Sequence, residues 1–529
     1  MKRRTFIKYT TIAGTGLALV PNILKTTENP IFVPNEKLLS DFDDNIIIFI
    51  ELFGGNDGLN TIIPAEDDEY YKLRPNINIP TDVAIKINDI YFNPGLIDDV
   101  HNGGLGRMFE DGRLAIVEGI GYDQPNLSHF RSEDIWQSGI NPKSNNNLKL
   151  LEGWLGRFLS LKLQDFPINI PEHPIAISLD GTTPLMFKSE KGDMGISLLD
   201  PLSFYQLGAG LMPKENLLEE DSYYAKEFNF VHTIATQSER YSNAVYNAYS
   251  KGKELINADI YSENSLSQKM KLISSLIAGG LKTKVYFLKL SNFDSHAQQM
   301  NTGYTGGHYT LLNNLSRAIS EFMDDALKLG FSERITGLTI SEFGRRAYDN
   351  NSRGTDHGAA SMQFIFGNDK FINGGYWNNR PRLDDLDING NLKYQTDYRV
   401  IYAEILEKRF SATNDEIKKV FGEEFLPLNI LEKRTSKVEN YLRKINDNYL
   451  NVYPNPTYGK FYIEFEVKKQ SKVNLSIFNT NGKLKTNILN KNLEAGMYNI
   501  PCQIYDNGIY FISISVGNNR FTNKIIVNK

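Results

Sequence analysis

Only one of the 529 residues is a cysteine, Cys502. An intrachain disulfide framework is therefore excluded, and exported status cannot be read from cysteines. Beyond the N-terminus no run is long and apolar enough to cross a bilayer. Basic tracts of the kind that follow nucleic acid are also missing. Lys and Arg number 58 against 63 Asp and Glu, a formal net charge of -5, so no nucleic-acid partner is expected. What is present describes a globular chain, 41% hydrophobic and 23% charged. Its length exceeds one ordinary core and implies more than one domain.

The first eight residues, Met1-Lys2-Arg3-Arg4-Thr5-Phe6-Ile7-Lys8, are basic, and a short apolar stretch follows to Val20. That order reads as a signal peptide over residues 1–30 rather than a spanning helix. The string Arg3-Arg4-Thr5-Phe6-Ile7-Lys8 looks like a twin-arginine signal. It implies the twin-arginine machinery as a partner, a route that carries folded proteins, often with metal in place. An ordinary secretory signal that happens to hold two arginines is the alternative.

Residues 42–428 alternate apolar runs with helical patterns, such as Leu311–Leu329 and Asp397–Phe410. Alternation of this kind predicts an α/β fold with a mostly parallel sheet flanked by helices. Four strand-like runs each stop before a polar cluster. Ile46–Phe53 leads into Gly54-Gly55-Asn56-Asp57, and Leu114–Ile120 into Ser128-His129-Phe130-Arg131. Val285–Leu290 leads into Asp294-Ser295-His296, and Arg334–Ile340 into Glu342 and Arg345, then Asp356-His357-Gly358. Ligands of open parallel sheets bind beyond the carboxyl ends of the strands. Neighbouring strands would bring these clusters to one acidic, His-bearing site suited to divalent metals.

Asp294 and His296 stand two apart, so on an extended segment they share a face. Asp and His are ordinary ligands for zinc and similar ions. Asp356 and His357 are adjacent, their side chains diverge, and they suit a site with two metal ions. Zinc, manganese and calcium all remain open. Asp57 sits in a glycine-rich turn that admits close approach, His308 precedes a helix, and Glu342 ends a strand. Each also has a plainer explanation. Asp57 can hydrogen-bond its own turn, Asp356 can cap a helix, and His357 can be a satisfied core residue. Ser128 is the nucleophile candidate, a hydroxyl at a helix N-terminus, and equally a plain N-cap. Arg131 and Arg345 are matched to clamp non-bridging oxygens, or else form structural ion pairs.

Residues 429–450 are charged and weakly periodic and read as a linker. From about residue 451 to 529 the pattern turns period-two, with Asn481-Gly482 as a hairpin signal. Short strands with regular turns predict a small all-β sandwich. Tyr453-Pro454-Asn455-Pro456-Thr457, Leu493-Glu494-Ala495-Gly496-Met497-Tyr498, Gly508-Ile509-Tyr510-Phe511 and the Lys524-Ile525-Ile526-Val527 ending resemble the type A sorting domain of the type IX secretion system. That resemblance implies export across the outer membrane of a Bacteroidetes-type bacterium, with the type IX machinery as partner. A generic immunoglobulin-like module that binds sugar or protein is the alternative.

The body has a resemblance of its own. Leu52–Pro64, Ser128–Gly139, Gly153–Leu159, Asn292–Gln299, Ser341–Arg346 and Thr355–Ser361 look like the domain of unknown function 1501 family, grouped with the alkaline phosphatase-like superfamily. The resemblance implies divalent metals at the strand ends and hydrolysis of phosphate or sulfate esters, small or carried on a glycan. Asp356-His357-Gly358 matches the superfamily's D-H-G motif, Asp57 its first metal carboxylate, and Asp294 with His296 its Asp and His pair. Two departures stand. No His follows His357, and Asp294 and His296 are two apart where four is common. His308 or Glu342 is then the substitute ligand. The competing expectation is a non-catalytic surface protein whose acidic pocket binds metal or glycan.

Overall fold

The computed structural model describes residues 44–98, 103–141, 150–166, 170–210, 222–431 and, apart from 454, 456, 458, 468, 481 and 518, 450–528. The expected signal and most of the expected linker lie outside the described residues. The chain divides into two compact units, residues 1–433 and 434–529.

A nine-stranded sheet organises the first unit. Its strands are β1 (Ile46–Leu52), β2 (Leu114–Gly121), β3 (Ala176–Ser178), β4 (Ile196–Ser197), β5 (Val285–Leu290), β6 (Ile335–Ile340), β7 (Ser361–Gly367), β8 (Gly375–Trp377) and β9 (Thr396–Asp397). Their order is β8-β2-β7-β6-β1-β5-β3-β4, with β9 paired to β2. Only β7 runs against its neighbours β6 and β2; every other pairing is parallel. The sheet is mostly parallel, as the alternation of strands and helices predicts. All seven residues of β1 are buried, as expected of a central strand covered on both faces, and this explains its unbroken apolar run.

The helices that bear on the site are α1 (His129–Ser138), α2 (Trp154–Lys162), α3 (Gly307–Lys328) and α4 (Arg399–Phe410). Phe49 of β1 meets Trp154 of α2 and Tyr402 of α4 edge-on, with ring centroids 5.9 and 6.2 Å apart. Trp154 and Tyr402 stack at 4.6 Å. Each such buried aromatic contributes about 1.5–3 kcal/mol by leaving water, so these contacts fix both helices on the sheet. Gly139 ends α1 in the left-handed conformation, φ +65°, as C-terminal glycines do. Among the described residues no helix is long and apolar enough to cross a membrane.

The two sheets of the second unit are antiparallel. One sheet orders Leu450–Tyr453, Lys460–Val467 and Gly496–Gln503. The other orders Leu484–Leu493, Ser471–Asn479, Gly508–Val516 and Asn519–Val527. Phe461, Ile463 and Phe465 of the first share a core with Leu475, Ile477, Ile512 and Ile514 of the second. Period-two alternation in these strands puts those residues on the inner faces of a sandwich.

Candidate metal centre

β1, β5 and β6 are parallel neighbours, so their carboxyl ends reach one edge of the sheet. β7 is antiparallel and starts from that edge, which brings Asp356 and His357 there too. Gly54 turns at φ +122°, and a Cβ there would stand 2.1 Å from the Asp294 nitrogen, so glycine is required for the β1 and β5 loops to touch. Gly344–Arg345 pairs with His357–Gly358, with Arg345 opposite His357. Ser128 opens α1 and presents His129 as the first helical residue.

These loops assemble a cluster of imidazoles and carboxylates. Asp294 Oδ1 lies 3.3 Å from His357 Nε2 and 3.1 Å from His296 Nε2. Its Oδ2 lies 3.5 Å from His129 Nε2. The Nε2 atoms of His296 and His357 are 3.0 Å apart, and His296 Nδ1 is 2.9 Å from Asp356 Oδ1. One ligand atom each from His129, Asp294 and His357 falls within 4.8 Å of the others. His357 Nδ1 sits 2.8 Å from the Leu127 carbonyl. A carbonyl only accepts, so Nδ1 carries the hydrogen and Nε2 keeps its lone pair toward the cluster. Side-chain exposures of 45–50% for Asp294, His296 and Asp356 leave the cluster open to solvent. Imidazole and carboxylate together are the donor set of zinc and similar ions, and the residues present fit such a cation.

The charges are tuned by neighbours. Burial pushes Asp294 up, but the Arg345 guanidinium outweighs it and holds the carboxyl below its ordinary value. The hydrogen bond from His296 lowers Asp356 in the same sense. Burial lowers His357, partly offset by its bond to Leu127. Burial raises Glu342.

The expected site residues separate into groups. Asp294, His296, Asp356 and His357 come together, and Glu342 stands behind His129 at 2.7 Å. Asp57 lies instead in a buried ion pair with Arg74 at 2.6 Å, and its Oδ2 also accepts from Gln299. His308 is buried against Asn56 and Thr61. Burial lowers it to about 4, although the nearby Asp57 carboxylate favours the charged form. Arg345 is buried and donates to the carbonyls of Gly54, Gly55, Phe293 and Thr355 and to Asp294 Oδ1, tying three loops together. Ser128 is exposed at the N-cap, and its side chain makes no capping bond. Nε and Nη2 of Arg131 are shielded from solvent and have no hydrogen-bond partner among the described residues.

Two features are not evident from the sequence. His129 stands beside the nucleophile candidate Ser128, and its signal is a histidine that opens a helix after a sheet strand. Below it on α1, Glu133 at i+4 and Gln137 at i+8 share its face. Lys289 bridges Glu133 at 2.7 Å and the buried Glu51 of β1 at 3.0 Å. Burial and Glu133 push Glu51 up to about 8.

Residues 258–375 match the family model described as protein of unknown function (DUF1501). That span holds Asp294, His296, Glu342, Asp356 and His357. Residues 451–528 match the secretion system C-terminal sorting domain, which marks the protein for type IX export to the cell surface or beyond. No curated protein matches the chain. Among solved structures, a protein in the alkaline phosphatase superfamily from Vibrio parahaemolyticus is 9% identical, with TM-score 0.29, covering 94% of this chain and 92% of that one. PsFucS1 sulfatase from Pseudoalteromonas sp. is 11% identical, with TM-score 0.31, covering 89% and 90%. The PmoD soluble domain from Methylocystis sp. ATCC 49242 (Rockwell) is 12% identical, with TM-score 0.12, covering 14% and 76%.

Proposed function

We propose that this protein is an exported, metal-dependent hydrolase of phosphate or sulfate esters. The observation that carries the reading is the meeting of His129, Asp294 and His357 at an open sheet edge, with His296 and Asp356 alongside. A divalent cation held by these residues supplies Lewis acidity toward an ester oxygen. Imidazoles favour zinc or a similar transition ion over calcium, which takes oxygen ligands.

The chain's own groups do the rest. Ser128 offers an exposed hydroxyl with no capping bond beside His129 and is the proposed nucleophile: its attack on phosphorus or sulfur breaks the ester bond, its proton leaves with the expelled alcohol, and water then releases phosphate or sulfate and restores the serine. The free amides at the start of α1 favour an anionic ester there. Arg131 lies one turn along the same helix, and its Nε and Nη2, shielded and without a partner among the described residues, are the proposed donors to the non-bridging oxygens. Export starts, in this reading, from the twin-arginine signal of residues 1–30.

A second reading has one observation behind it. Arg345 is spent on backbone carbonyls and Asp294, so only one arginine of the expected clamp is left. A non-catalytic pocket that binds metal or glycan follows if Arg131 alone is insufficient. Metal analysis of the purified protein, then turnover of aryl phosphates and aryl sulfates, decides between them. Hydrolysis expects bound metal and turnover that disappears in Asp356→Ala. Bound metal with no turnover of any ester leaves the second reading.

A further inference from the structure

The Glu342 carboxylate is wholly enclosed, with no side-chain exposure. Its Oε1 stands 2.7 Å from His129 Nδ1 and 2.7 Å from the Gly54 amide nitrogen. The Gly54 N–H can only donate, so Oε1 is held as an acceptor at a fixed place. A His129 ring anchored there through Nδ1–H turns Nε2 toward Asp294 Oδ2, 3.5 Å away. Two aromatic rings hold that orientation. Phe53 and Phe343 lie 5.6 and 4.9 Å from the imidazole, centroid to centroid. Glu342 Oε2 is also buried and has no hydrogen-bond partner among the described residues.

We infer that Glu342 is a positioning residue for His129: it fixes the Nδ1–H tautomer and so makes Nε2 the nitrogen that a cation takes. It works through His129 rather than as a ligand. A carboxylate behind a metal-binding imidazole sets ring orientation and raises ligand basicity, and losing it typically costs about 10–100-fold in metal affinity. The arrangement at His357 is parallel, with the Leu127 carbonyl in the place of the carboxylate. The two histidines thus present Nε2 to Asp294 from opposite anchors, one charged and one neutral. The inference rests on reading the cluster as a metal centre.

Two measurements on the full-length protein test it. Nitrogen-15 NMR of the histidines in metal-free protein reports the tautomer of His129, assigned with His129→Gln. Zinc titration by calorimetry reports affinity. Wild type is expected to show protonated Nδ1 at His129. Glu342→Ala is expected to lose that preference and to bind zinc about 10–100-fold more weakly. Glu342→Gln keeps an oxygen for Gly54 and His129 and guards against misfolding. It is expected to keep the tautomer but lose at least about tenfold in affinity, because the charge is gone. An unprotonated Nδ1 in wild type overturns the proposal, as does unchanged zinc affinity in both variants. So does a zinc-loaded crystal structure with Oε2 on the metal. A wild type that binds no zinc, manganese or calcium ends the metal-centre reading itself, a result distinct from metal binding that the variants leave intact.

Discussion

Two His-carboxylate-arginine groups lie beyond the sheet edge, and they differ mainly in access. One is sealed: Asp57 and Arg74 have 1% and 0% of their side chains exposed, and His308 is buried beside them. The other is open: Asp294, His296 and Asp356 are about half exposed. In the sealed group the charges are matched, since Asp57 faces Arg74 and His308 is kept neutral. Arg74 also donates to Asn60 and to the carbonyls of Arg346 and Ala347. In the open group three imidazoles meet three carboxylates, Asp294, Asp356 and Glu342 behind His129, and one buried arginine, and the Nε2 atoms converge on Asp294. The same residue types therefore make a strut in one place and a candidate site in the other. What separates them is access to solvent and charge balance: Asp57 has Arg74 against it, whereas the carboxylates of the open group outnumber its one guanidinium, Arg345 on Asp294.

The sharpest way to break that comparison is to remove the sealed group's cation. Arg74→Met leaves Asp57 buried without a counter-charge and is expected to cost about 3–5 kcal/mol of stability. Urea unfolding of the variant measures it. A loss under about 1 kcal/mol would mean the strut carries little.

Acid probes the same group from the other side. His308 is lowered from its ordinary 6.5 to about 4 by burial. The unfolded chain therefore takes up a proton between those values and the folded chain does not. Stability from this residue is full above pH 6.5 and is lost as pH falls toward 4, by at most about 3 kcal/mol. Comparing wild type with His308→Gln in unfolding at pH 7 and pH 4.5 isolates it. The variant is expected to lose less on acidification. An equal loss in both would place the acid sensitivity elsewhere.

For the open group the expected response is to metal rather than to acid. A cation that binds only the folded protein adds about 2.7 kcal/mol when present at 100 times its dissociation constant. Zinc is expected to raise the melting temperature and a chelator to reverse the rise. Asp294→Ala is expected to abolish the response, and Asp57→Asn to leave it in place on a less stable protein. A zinc response that survives Asp294→Ala would move the cation away from this cluster.

Much of this geometry is legible from the strand ends alone. Ile46, Val285 and the run to Ile340 read as strands from their apolar continuity, and they are the three adjacent parallel strands β1, β5 and β6. The polar residues after them converge because parallel strands end on one edge. Partner choice is what the sequence hides. Nothing local reveals that Asp57 pairs with Arg74, 17 residues on, or that Arg345 spends its donors on carbonyls up to 291 residues away. Those contacts depend on how loops pack once the sheet exists. His129 is hidden for the same reason: its partners Glu342 and Asp294 lie far along the chain and meet it only once the sheet forms.

The smallest stability effect is also the most discriminating. Asp356 is half exposed, accepts from His296 at 2.9 Å and has Asn350 at 3.4 Å. An exposed pair of this kind is worth about 0.2–1 kcal/mol. Asp356→Asn is therefore expected to change unfolding free energy by less than about 1 kcal/mol. Its effect on zinc affinity is expected to be at least about tenfold, since a carboxylate beside a ligating imidazole is lost. Arg74→Met predicts the reverse pattern, large in stability and small in affinity per folded molecule. Measuring both quantities in both variants gives a two-by-two test. If Asp356→Asn costs as much stability as Arg74→Met while zinc binding is untouched, then access to solvent does not divide strut from site, and the open cluster is a second strut that happens to face water.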